Sequence, residues 1–155
     1  MRRFLDGLYL LCGIIACIGI VVMFVLMLIS SAGRNISLNI AGADDLVGFS
    51  VVAVGSLGLA YTFKAGEIIR VRLLIDFLSG RKQRILEIAS LSLGAVMVGY
   101  FAWHALEMAY FSWRFGDRTS GVMPWPLWPP QAVFGFGLLV FFVALLDEAI
   151  RVIGG

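Results

Sequence analysis

His104 and Glu107 stand three residues apart in a stretch, Ile88 to Phe111, that otherwise carries no charge. On a helix that spacing puts both side chains on one face. An imidazole beside a carboxylate can pass a proton or hold a cation, and Arg114 follows two turns further on as a counter-charge. An ionisable side chain inside a membrane span is a functional candidate by default. The structural alternative is that Glu107 lies within one to two turns of the outer end of its apolar run and reaches water or Arg114. A carboxylate-bridged metal site would need Glu and His from several helices, and no other apolar stretch offers a buried carboxylate. A bis-histidine haem would need a second histidine, whereas the chain has one. No metal and no cofactor is expected.

A second polar group consists of Arg34, Asp44 and Asp45, separated by the short connection RNISLNIAGADD. Asp44 and Asp45 stand where they can cap the following helix. One short loop brings them within reach of Arg34, so the three can form a polar cluster that orients two helices or meets a partner. Simple capping and interfacial anchoring is the alternative. Cys12 and Cys17 are five residues apart and point to different helix faces, which suits packing rather than a disulfide. No Gly-rich phosphate loop, nucleophile elbow or metal-spaced Cys/His cluster is present. Catalysis has no residues to rest on, and a non-enzyme is expected.

The elements that carry these residues follow from composition. The chain has 155 residues, of which 61% are hydrophobic and 14% charged, with mean hydropathy +0.97. So apolar a chain cannot cover itself with polar surface in water. Its apolar stretches fit an all-α integral membrane protein, one domain over residues 1–155, with four spans at about 8–29, 46–63, 85–111 and 130–146. The uncharged run at the N-terminus is much longer than the apolar region of a signal peptide and is read as a span. Small residues recur in the second span at Gly48, Gly55, Ser56, Gly58 and Ala60, and in the third at Ser92, Ala95, Gly99 and Ala102. Such faces let helix backbones approach closely. The stretch WRFGDRTSGVMPWPLWPP is too rich in Pro to be one helix, and Trp113, Trp125 and Trp128 suit the headgroup level.

Lys64, Arg70, Arg72, Arg81, Lys82 and Arg84, half of the twelve basic residues, fall between the second and third spans. With Arg2, Arg3 and Arg151 they make nine on one face, against Arg34, Arg114 and Arg118 on the other. Lys and Arg near membrane spans stay in the cytoplasm, so both termini and the basic loop are expected there. Within that loop, IIRVRLLIDFL is too short and too charged to span and is read as a short interfacial helix with Arg70 and Arg72 towards lipid headgroups, the alternative being a solvated turn with a buried strand-like patch. Basic residues gathered in one membrane loop are not a nucleic-acid face, and no nucleic acid is expected as a partner.

The order of features resembles the small membrane subunit of tripartite ATP-independent periplasmic (TRAP) transporters, the DctQ-like family. The resemblance covers nearly the whole chain. It rests on Arg34 just past the first span, the acidic pair Asp44 and Asp45 opening the second, a Gly-x-x-hydrophobic-x-Val pattern at Gly66, Ile69 and Val71, and the Pro-Trp-rich approach to the fourth span at Pro124, Trp125, Trp128 and Pro130. Two positions depart from the pattern: Ala43 where many members have Trp, and Ile68 where they have His. The resemblance implies a scaffold in a bacterial or archaeal cytoplasmic membrane that pairs with a large multi-span permease subunit and a periplasmic solute-binding protein. It also implies uptake of an organic acid, commonly driven by sodium, with the transport sites in the large subunit. Rival readings are a stand-alone small multi-span exporter, which would need an acidic residue in the middle of the first span, and a membrane assembly factor, which would need exposed Cys pairs or several His.

Overall fold

In the computed structural model, residues 2–35, 42–64, 81–121 and 123–154 are described. At residues 2–5, 34–35, 81–82 and 153–154 the description is of the backbone alone. They form four helices: α1 (Arg2–Asn35), α2 (Ala43–Lys64), α3 (Arg81–Phe115) and α4 (Trp128–Gly154). All four are long and apolar enough to cross a membrane. Each contains its predicted apolar stretch and continues beyond it at both ends. Hydropathy marks the limits of hydrocarbon, whereas the backbone hydrogen-bond ladder runs on wherever helix-forming residues such as Lys, Arg and Glu continue it. Arg81, Lys82 and Arg84, expected in a loop, accordingly form the first turn of α3, and Lys64 is the last residue of α2. Arg70, Arg72 and the expected interfacial helix lie outside the described residues.

The helices pack in series, α1 on α2, α2 on α4 and α4 on α3, as an open row with α1 and α3 at its edges. Small residues set each contact. Between α1 and α2, a Cβ at Gly13 would fall 2.7 Å from Tyr61 Cγ and one at Gly19 2.7 Å from Val54 Cγ2. Between α2 and α4, a Cβ at Gly137 would fall 2.7 Å from the carbonyl carbon of Ser56, so the two backbones nearly touch there. Between α4 and α3, Leu106 occupies the space beside Gly135, and Phe142 the space beside Gly99. Ala95, Ala102, Ala105, Ala109 and Ser112 are the buried stripe of α3. The predicted small-residue seams are thus used in part: Ser56, Ala60, Ala95 and Ala102 are buried, but Gly48 and Gly55 have nothing within contact distance of an added Cβ and Ser92 is exposed.

The core joins Tyr9, Cys12 and Ala16 of α1 to Leu57, Ala60 and Phe63 of α2 and Val140, Ala144 and Leu145 of α4, with Leu91 and Ala95 of α3 on the far side. Phe63 meets Phe141 edge to face at 5.6 Å between centroids. Cys12 is buried, Cys17 is exposed, and both are free thiols. Two hydroxyls of the second span are satisfied by their own helix: Ser56 Oγ donates to the Val52 carbonyl at 2.8 Å and Thr62 Oγ1 to that of Gly58 at 2.9 Å.

Candidate functional site

Polar side chains gather at three depths. At one end of the row, Thr119 is the hub of the loop between α3 and α4. Its N–H donates to the Trp125 carbonyl at 2.8 Å, and its Oγ1 accepts the Trp125 N–H at 3.1 Å. The Oγ1 proton faces two acceptors, Asp45 Oδ2 at 3.2 Å and the Met123 carbonyl at 3.3 Å. The loop is held further by Leu127 N–H on the Asp117 carbonyl and by an antiparallel bridge between Arg118 and Pro126. Asp44, one residue earlier in α2, accepts from Ser30 Oγ of α1 at 3.5 Å. The acidic pair therefore reaches in two directions, to α1 and to the α3–α4 loop. It also stands in the first turn of α2, where carboxylates complement the helix dipole.

Gly42 precedes this turn at φ 82°, and a Cβ there would fall 2.5 Å from Trp125 Nε1, so only glycine fits both the backbone and the space. Trp113 and Trp128 are exposed at this level, while Trp125 is half-buried against Gly42. Arg34 lies in the last turn of α1 at the same end, and its side chain is outside the described residues.

At the opposite end Lys64 Nζ of α2 meets Asp147 Oδ2 of α4 at 2.9 Å and lies 5.7 Å from the Tyr9 ring centroid of α1. One ammonium thus ties three helices. Asp6, Tyr9, Leu10, Tyr61 and Lys64 line a cavity of about 310 Å³ beside it. Arg84 Nε donates at 3.1 Å to the Val152 carbonyl in the last turn of α4, where a cation also suits the helix dipole. Arg151 pairs with Glu148 at 3.7 Å. The N-terminal part of α1 and the C-terminal part of α4 both reach this end, so the two termini share one face.

Between these ends, His104 Nδ1 lies 3.0 Å from Glu107 Oε2, with the Tyr100 ring edge-on to the imidazole at 4.5 Å. The helix runs on to Phe115, about two turns past Glu107. With Leu106 beside Gly135 and Phe142 beside Gly99, His104 is level with Gly137, midway between Trp128 and Asp147. The pair also points away from the row: the side chains are 50% and 45% exposed, on the side of α3 opposite its alanine stripe.

A polar layer thus lies at each end of a row of four helices long and apolar enough to cross a membrane. A family model described as "Tripartite ATP-independent periplasmic transporters, DctQ component" matches residues 23–155. The chain belongs to the DctQ family. It is thus the small membrane subunit of a TRAP transporter. No curated protein and no solved structure matches it. In this DctQ chain the family match takes in Arg34, Asp44, Asp45, His104 and Glu107, and leaves out most of α1.

Reasoning from sequence singled out Asp44 and Asp45 but not Thr119, which receives one of them from 74 positions away, nor the Lys64–Asp147 pair across 83. A signal for the latter did exist: a Lys closing one span and an Asp closing another that runs antiparallel to it.

Proposed function

We propose that this DctQ chain is a scaffold in a bacterial or archaeal cytoplasmic membrane, bracing the large permease subunit of its transporter while a periplasmic binding protein delivers an organic acid for sodium-coupled uptake. The observation that carries the reading is the open row. Each helix has a packed side and a broad apolar outer side, and no described cavity brings together the charged groups that binding an organic anion and a cation would need. Both termini and the basic segment lie in the cytoplasm on this reading. The Asp44, Asp45 and Thr119 layer then faces the periplasm, with Arg34 joining it and the folded α3–α4 loop offered to the binding protein.

The test is reconstitution of the chain alone, and of the chain with its large subunit and binding protein, in vesicles under an imposed sodium gradient. Uptake is expected only from the complete set. His104→Asn and Glu107→Gln are expected to leave the ion-to-substrate ratio unchanged. Transport by the lone chain would return it to the class of small stand-alone carriers, and a changed ratio in either variant would move α3 into the transport path.

A further inference from the structure

The two edges of the helical row differ in chemistry. The outward side chains of α1 include Leu11, Ile14, Ile18 and Val22, all aliphatic and suited to lipid tails. The outward side of α3 carries Tyr100 at 63% exposure, Trp103 at 70%, His104 and Glu107, four side chains with polar atoms around the middle of the span. Tyr and Trp normally sit at the membrane interfaces, where one end is wet. Ionisable groups in spans nearly always face a protein interior or a water-filled cavity. The span hydroxyls of Ser56 and Thr62 meet their own carbonyls. For His104 and Glu107, by contrast, the described hydrogen bonding is only to each other. One carboxylate oxygen and one ring nitrogen therefore project outward at the depth where lipid offers no partner.

We propose that this face of α3 receives a transmembrane helix of the large permease subunit, one carrying a cationic or N–H donor side chain at mid-span that completes the Glu107 carboxylate. Tyr100 and Trp103 then supply the flat aromatic area typical of a binding hot spot. The α1 edge is left to lipid. The proposal rests on the scaffold reading above and deepens it by assigning the surface.

The test uses the co-expressed complex, with a photo-reactive benzoylphenylalanine placed singly at Met97 or Phe111 beside the pair, or at Ile18 on the α1 edge. Irradiation in the membrane is expected to join the chain to the large subunit from Met97 and Phe111 and to give no protein adduct from Ile18. In parallel, the double substitution His104→Leu, Glu107→Leu removes every polar atom that a lipid-facing pair would leave unsatisfied. The variant is expected to accumulate in the membrane at wild-type levels yet to retain roughly three- to tenfold less large subunit on purification, in line with one interhelical polar contact.

Adducts from Ile18 alone, adducts to a second copy of this chain from Met97, or undiminished recovery by the double variant would each overturn the surface while leaving a wild-type complex intact. Failure of the wild-type chain to recover the large subunit at all would instead overturn the scaffold reading, and this proposal with it.

Discussion

Thr119 connects more of the layer around Asp45 than any other described side chain, and its replacement should be felt on both sides of the loop. Thr119→Val keeps the shape but removes the acceptor for Trp125 N–H and the donor facing Asp45. Leaving such groups without a partner is expected to cost about 1 to 3 kcal/mol, read as a lower unfolding temperature of the purified protein in detergent. Gly42→Ala should cost at least as much, because it combines a left-handed backbone position with an approach to the indole of Trp125. The acidic pair could be found in the sequence because carboxylates opening an apolar run have a local cause, the helix dipole and its free N–H groups. Thr119 could not, because a hydroxyl in a polar loop is ordinary until folding sets a carboxylate beside it.

Among the elements, the α2–α4 contact is the tightest, since Gly137 meets the Ser56 backbone. Gly137→Ala is expected to force the helices apart at a cost of about 1 to 3 kcal/mol, with Gly48→Ala as the control that should change little, nothing lying near its added Cβ. At the basic end of the same helices, Asp147→Asn is expected to lower stability by roughly 0.5 to 1.5 kcal/mol, allowing for the partial exposure of the pair. A charge exchange, Lys64→Asp with Asp147→Lys, should recover part of that loss if the contact is direct. The existence and number of the four helices could be read from hydropathy alone, since a span must satisfy its backbone internally. Their order in space could not. Small residues occur on several faces, and the glycines at 48 and 55 look in sequence no different from the one at 137.

At the scale of the whole molecule, the shared face of the two termini and the nine-to-three basic bias predict the orientation. In a chain lacking Cys12 and Cys17, single cysteines at Ser37 and Ser120 are expected to react with an impermeant thiol reagent added to intact cells, and one at Ser79 is not. Labelling of Ser79 from outside would reverse the assignment. The two polar layers described at the ends of α2 carry a further consequence. Asp45 and Lys64 are both fastened to neighbours, and the helix between them is about 28 Å long, close to the roughly 30 Å of bilayer hydrocarbon. α1, with 34 residues, reaches about 51 Å and must tilt or protrude. The second helix is cut to the hydrocarbon and fastened at both rims, while the first overshoots it. Such a chain gauges the lipid around it: in vesicles of long-chain phosphatidylcholine the rims are drawn beneath the headgroups, and in short-chain lipid the apolar middle is left partly wet.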